Sequence, residues 1–306
     1  MLKTIRDTII CLLVVSNIWG AIARGDIGFY NSINTIPTSN QDSKSAINFT
    51  EYPEDSLIDQ LKNIFTSKTY NGLNTKEYNW YFKHIKNGEP PQAPPETSYF
   101  ASKYGTYYIG DTSKKVLYLT FDEGYENGYT APILDVLKKH NVKAAFFVVK
   151  PYITSNPELI KRMVDEGHLV CNHSNHHPSM ASIVDQDKFN KELSDVEEAF
   201  EEVTGKKMPR YFRPPMGKYS ERSLQYTQAY GYKTIFWSFA YADWKPKEQP
   251  SHDFAKKRIL DRTHNGGIIL LHAVSKTNAE ILDSLITEWK NQGYELKTLD
   301  ELPKKD

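Results

Sequence analysis

Residues 116–124 read "VLYLTFDEG". Six apolar or β-branched residues run without a charge, and two carboxylates and a glycine follow them. An unbroken run of this kind belongs to a strand buried on both faces, as in a parallel sheet. A half-exposed strand would alternate polar and apolar residues. Asp122 and Glu123 therefore stand at the exit of a buried strand, and the fold depends on whether that pattern recurs.

It recurs six times downstream: "KAAFFVV" (143–149), "HLVC" (168–171), "RYFR" (210–213), "KTIFWSF" (233–239), "GIILLH" (267–272) and "YELKTL" (294–299). Helical stretches with readable ends lie between them. Asn156-Pro157 opens one that Gly167 closes, Asp187 opens another ending near Gly205, and Ser220 caps a third ending at Gly231. No repeat of solenoid length is present. Seven strands alternating with helices specify a parallel α/β protein.

An open doubly wound sheet and a closed barrel both satisfy that alternation. The polar residues separate them. Asp122, His173, Arg213, Asp243 and His272 each fall at or just past the C-terminal end of a different strand. A barrel brings all such ends to one face, where barrel active sites are built, whereas an open sheet spreads them along a line. The expectation is a barrel.

Upstream the chain changes character. Lys3 and Arg6 precede the apolar "IICLLVVSNIWG" (9–20) and the small-residue site Ala21-Ile22-Ala23, the pattern of a signal peptide over residues 1–23. Retention of the segment as an anchor is the competing reading. Residues 24–50, rich in Ser, Thr, Asn and Asp, read as a linker. Leu57, Ile58, Leu61, Ile64 and Phe65 recur at helical spacing, and "GEPPQAPPE" (88–96) reads as a connector without regular structure. The expected organisation is signal peptide 1–23, extension 24–103 and main domain 104–306. With the leader removed, Cys171 is the only cysteine, so no internal disulfide forms and stability rests on core burial.

Formal net charge is zero and the pI is near 7.1, which provides no field for nucleic acid or an anionic membrane. The 20 Tyr, 14 Phe and 5 Trp suit a carbohydrate-facing surface.

Three histidines crowd "CNHSNHHP" (171–178). If a turn of helix begins after His173, His173 and His177 project to one side and bind one cation, while His176 points elsewhere. Two imidazoles and one carboxylate from "TFDEG" would leave coordination positions open for water and substrate, as a catalytic site requires. A solvated acidic turn is the plainer reading of that carboxylate pair. A glycosidase pair is disfavoured, because adjacent strand residues point to opposite faces. Arg213 in "FRPPMG" (212–217) is placed to pair with Asp122 and lower its pKa. After Pro214 and Pro215, Met216 supplies the first backbone N–H, a donor suited to an oxyanion. His272, at the end of "GIILLH", is either a core histidine or a proton donor at the barrel mouth.

The ordered set "TFDEG", "HSNHHP", "RPPMG", "ADW" and "LLH" resembles the motifs of the NodB-type polysaccharide deacetylases, carbohydrate esterase family 4, over roughly residues 104–300. "YYIGDTSKKVLYLTFDEGYENGYT" and "YFRPPMGKYSERSL…GYKTIFWSFAYADW" look most like the PdaA-type branch, which deacetylates N-acetylmuramic acid of peptidoglycan in the spore cortex and leads to muramic δ-lactam.

The resemblance implies a distorted (β/α)7-type barrel with an N-terminal helical or irregular extension. It makes Asp122 the general base, His272 the general acid and Arg213 the residue that orients Asp122. Glu123, His173 and His177 become ligands of one divalent metal ion, zinc by preference. Met216 would receive the oxyanion, Tyr125 and Trp244 would face the sugar, and Asp243 would support His272 from behind. Two departures stand out. Glu123 replaces the family's aspartate and is one methylene longer, and the D-x-x-D-W motif is reduced to Asp243-Trp244 within "AYADW" (240–244). The implied partner is a peptidoglycan strand already stripped by an N-acetylmuramoyl-L-alanine amidase. The protein itself would be a monomer outside the cytoplasm, at the cell wall or spore envelope.

Two other readings stand beside this one: a deacetylase of N-acetylglucosamine in peptidoglycan or chitin-like chains, and an inactive wall-binding protein.

Overall fold

The computed structural model describes residues 72–85 and 88–304. The signal peptide, the linker 24–50 and the helix read at 57–65 lie outside the described residues.

All seven sequence-read strands are present, and their lengths differ from expectation. They are β3 (Val116–Glu123), β4 (Ala145–Val148), β5 (Leu169–Asn172), β6 (Tyr211–Phe212), β8 (Lys233–Ile235), β9 (Gly267–His272) and β10 (Glu295–Leu296). Three two-residue strands join them: β1 (Tyr78–Asn79), β2 (Thr106–Tyr107) and β7 (Lys218–Tyr219). Pairing is parallel from β3 through β4, β5, β6 and β8 to β2. On its other side β3 pairs with β9 over six residues. Phe239, just past β8, bridges to Ile269 of β9, with Leu270 N–H donating to the Phe239 carbonyl at 2.9 Å. The sheet thereby curls into a distorted barrel. "KTIFWSF" is short as a strand because residues 236–239 leave the β6 ladder to make that bridge.

Alternation along β3 sorts its side chains. Val116 and Tyr118 pack inward with Phe147, Cys171, Tyr211, Ile235 and Ile268. Leu117, Leu119 and Phe121 pack outward against the helix layer, including Ile133, Leu134 and Leu137. Both faces are buried, as the unbroken apolar run requires. Emptying one such site, as in Phe121→Ala, costs about 3–5 kcal/mol.

The helices that cover the barrel are α2 (Thr130–His140), α3 (Lys150–Ser155), α4 (Pro157–Asp165), α5 (Gln186–Thr204), α6 (Glu221–Ala229), α7 (His252–Leu260) and α8 (Lys276–Asn291); α1 (Ser98–Ala101) is a single turn before β2. Ser220 caps α6 in a reciprocal box with Ser223. The cap of α5 is Asp185, not Asp187: its carboxylate accepts from Lys188 N–H, and Asp187 already lies inside the helix. The connector 88–96 ends in a 3-10 turn at Pro95–Thr97. Among the described residues no helix is long and apolar enough to cross a membrane.

Candidate active site

The strand exits open into a cleft of about 490 Å³ lined by Asp122, His173, His177, Met216, Trp237, Trp244 and His272, among others. Asp122 continues the inward-facing parity of Val116 and Tyr118 and sits opposite His272 in register. Arg213, fully buried beneath the cleft, donates from Nη1 to Asp122 Oδ1 at 2.6 Å. Its other donors are also engaged, with Nη2 on Thr120 Oγ1 at 2.9 Å and Nε on the Ile235 carbonyl at 3.1 Å. The guanidinium lies over the Phe147 ring at 4.1 Å, so it cannot swing away. Burial alone would raise the Asp122 pKa. The Arg213 charge, aided by His173 and His272, outweighs burial and holds the carboxyl below its usual 3.8.

Across the cleft His272 Nδ1 meets Asp243 Oδ1 at 2.8 Å. Asp243 is almost fully buried and accepts from the His272 N–H at 2.9 Å and from Asn278 Nδ2 at 2.6 Å. Tyr241 donates to Asn278 Oδ1. Burial pulls the His272 pKa down, but the Asp243 charge and hydrogen bond, together with the Asp122 charge, leave it above 6.5. One cleft thus holds a carboxyl whose pKa is lowered and an imidazole whose pKa is raised, the arrangement of an acid–base hydrolase.

The histidine pair comes together by a route the sequence reading did not foresee. Residues 173–178 form a loop, not a helical turn. Ser174 (φ 70°) and His177 (φ 58°) adopt left-handed backbone, stabilised by Asn172 Oδ1 on Ser174 N–H and Ser174 Oγ on His177 N–H. The rings lie 4.9 Å apart, centre to centre. His173 Nδ1–H donates to the Arg213 carbonyl at 2.8 Å, which leaves Nε2 facing Asp122 Oδ2 at 3.6 Å. Burial pushes the His173 pKa down to about 4 and lowers that of His177, so both imidazoles carry free lone pairs. His176 turns outward to Glu192, at 2.7 Å.

As donors, two neutral imidazoles, one oriented through its far nitrogen, suit a divalent cation. Glu123 is not brought to them. It follows the outward parity of Leu119 and Phe121, is fully buried, and neither carboxylate oxygen has a hydrogen-bond partner. Its electrostatic neighbours are Glu126, Asp122 and Tyr152, not the histidines. Burial first, and those negative charges second, raise its pKa well above 4.5. Among the described residues no three His, Cys, Asp or Glu converge as a metal site.

Met216 lines the cleft, half exposed, at φ 58° and ψ 8°. A left-handed non-glycine costs about 1–2 kcal/mol and persists only where its surroundings enforce it. Tyr125 and Trp244 are half exposed on the cleft wall, with the Trp244 ring 5.8 Å from that of His272. The sequence reading missed Thr120, Asn278, Tyr241 and Trp237. Of these only Asn278 left a trace, as a polar residue in the first turn of a helix just past His272.

Residues 109–235 match the family model described as polysaccharide deacetylase. The chain is 46% identical over 224 residues to the peptidoglycan-N-acetylmuramic acid deacetylase PdaA of Bacillus subtilis, spanning 73% of this chain and 85% of that one. The solved structure of B. subtilis PdaA, a family 4 carbohydrate esterase, superposes with a TM-score of 0.72 at 45% identity over 74% of this chain and 97% of that chain. The peptidoglycan-N-acetylglucosamine deacetylase PgdA of Listeria monocytogenes is 38% identical over 191 residues, 62% of this chain and 39% of that protein. The chain is an enzyme of the polysaccharide deacetylase family, carbohydrate esterase family 4.

Proposed function

We propose that the protein hydrolyses the N-acetyl group of N-acetylmuramic acid in peptidoglycan whose stem peptide an amidase has already removed, leading to muramic δ-lactam in spore cortex. The observation that carries this reading is the opposed pair: Asp122 held by Arg213, and His272 held by Asp243, within one cleft. The similarity to PdaA supplies the sugar.

Asp122 Oδ1 is occupied by Arg213, so Oδ2 takes the proton from the attacking water. The Met216 amide faces the oxygen that gains charge as the acetamide carbonyl becomes tetrahedral. His272, with Nδ1 held by Asp243, donates from Nε2 to the departing amine. Water adds to the carbonyl carbon, the C–N bond breaks, and acetate and a free 2-amine result. In muramic acid that amine lies beside the 3-O-lactyl carboxyl, and closure of the six-membered lactam, with loss of water, gains from proximity. His173 and His177 would hold the divalent cation, zinc by preference, which when bound polarises the acetamide carbonyl. Tyr125 and Trp244 form the sugar wall. Residues 1–23 direct export, so the enzyme meets the wall outside the cytoplasm as a monomer.

A second reading, deacetylation of N-acetylglucosamine, is favoured by one observation. Among the described residues that line the cleft there is no lysine or arginine to meet a lactyl carboxylate. Acetate release from amidase-stripped peptidoglycan, intact peptidoglycan and N-acetylglucosamine oligomers separates the two. The muramic reading expects the stripped glycan to be fastest, and a charge-assisted carboxylate contact would set it about ten- to a hundredfold ahead of the oligomers. Equal or faster turnover of the oligomers would establish the second reading instead.

A further inference from the structure

The described residues between 72 and 107 pack on the barrel beside the cleft, and the family model reaches none of them. β1 pairs antiparallel with β7, Tyr78 against Tyr219, directly after the 215–217 turn. Trp80 follows β1 and is buried. It makes three separate ties. Its backbone N–H donates to the Gly217 carbonyl at 2.7 Å. Its indole Nε1–H donates to the Trp237 carbonyl at 2.9 Å. Its ring stacks on Phe236 at 4.3 Å with planes 10° apart.

These ties meet the two segments that shape the cleft from behind. Gly217 (φ +66°) is wedged between indoles: a Cβ there would lie 2.8 Å from the Trp237 ring and 3.2 Å from Trp80 Cβ. The left-handed Met216 precedes it, so the clamp on Gly217 fixes where the Met216 amide points. On the other side, the Phe236 carbonyl accepts from Arg213 Nη2 at 3.4 Å, and the Trp237 ring lies 5.7 Å from the guanidinium. The segment Trp80 holds is thus the one that seats Arg213 behind Asp122.

We propose that Trp80 is a positioning residue for the deacetylation, holding the Met216 turn and the Phe236–Trp237 segment in one arrangement from outside the strand-end cluster. The proposal rests on the deacetylase reading given above. Trp80 touches no reacting atom. It acts through Gly217 and Trp237, whose displacement moves the oxyanion donor and the cleft wall, and sub-ångström shifts of such groups slow chemistry more than they weaken binding.

The test compares Trp80→Phe, which keeps a ring over Phe236 and loses the indole N–H, with Tyr219→Phe. The latter removes only the 2.7 Å hydroxyl contact to Thr97 in the same aromatic cluster. Trp80→Phe should lower kcat about five- to tenfold with KM within about twofold. Amide hydrogen exchange should quicken in peptides covering 214–219 and 235–240. Tyr219→Phe should cost melting temperature without that loss of kcat. Trp80→Ala should repeat the pattern more strongly, and Trp80→Phe decides the matter if Trp80→Ala does not fold. An unchanged kcat in Trp80→Phe, or an equal loss in Tyr219→Phe, overturns the proposal, as does unchanged exchange in the two segments. If wild-type protein releases no acetate from any glycan, the deacetylase reading fails, and the exchange data still judge the clamp on their own.

Discussion

Asp122 and Glu123 are neighbours in the chain and lie in opposite environments. The inward carboxylate has Arg213 at 2.6 Å, His173 at 3.6 Å and the open cleft above it. The outward one has no hydrogen-bond partner and is sealed in the layer between sheet and helices. Burial pushes both carboxyl pKa values up; the Arg213 charge reverses that push for Asp122, and nothing reverses it for Glu123, whose nearest charges are negative. A pair of acidic residues at a strand exit is thus two sites, with β alternation deciding which one reaches the substrate.

The largest expected effect is on cation affinity. His173→Ala and His177→Ala should each weaken it by about a hundredfold or more, while His176→Ala leaves it unchanged. Calorimetric titration of the three variants checks this, and equal losses in all three would mean that the pair is not a site.

A smaller effect is expected behind His272. Asp243→Asn keeps an oxygen near Nδ1 but removes the charge that outweighs burial, so the His272 pKa should fall. The acid form is required for protonating the amine, so the alkaline limb of the kcat profile should move to lower pH. Activity near pH 8 should drop about tenfold, and less near pH 6. An unmoved limb would remove His272 from the acid role.

The smallest effect concerns Glu123 and stability. Its folded pKa is raised, so between the unfolded value near 4.5 and the folded one the native state binds the extra proton. Native stability from this group is then fully present below the unfolded pKa and declines as pH rises. Glu123→Gln removes that decline. Thermal melts with chelator present should show the variant's advantage widening as pH rises above about 5. A constant gap would place an ionised carboxylate there after all.

Much of the molecule was legible in the sequence for one reason: doubly buried strands leave unbroken apolar runs, and polar residues at their exits then have little to do structurally. That reasoning found Asp122, His173, Arg213, Asp243 and His272 and predicted that they meet. It found the histidine pair through spacing, yet the helical turn invoked for it is a left-handed loop, set by Asn172 and Ser174 side chains that no periodicity encodes. Alternation was also available to separate Glu123 from the cleft, by the same rule that disfavoured a glycosidase pair. Asn278 reaches Asp243 through a tertiary contact and is legible only as a polar residue in a first helical turn, while Tyr241, bound to Asn278, and Trp80, stacked on Phe236 across more than half the chain, left no local pattern.

The claim that two adjacent carboxylates divide so sharply is tested most directly by measuring kcat/KM of Asp122→Asn and Glu123→Gln on one stripped glycan with saturating divalent cation. Both replacements conserve volume and abolish charge, so only the environment of each differs. Asp122→Asn should lose about 10²–10⁴-fold, as loss of a general base does, while Glu123→Gln stays within about threefold of wild type. A loss in Glu123→Gln as large as that in Asp122→Asn would contradict the account and put Glu123 at the metal.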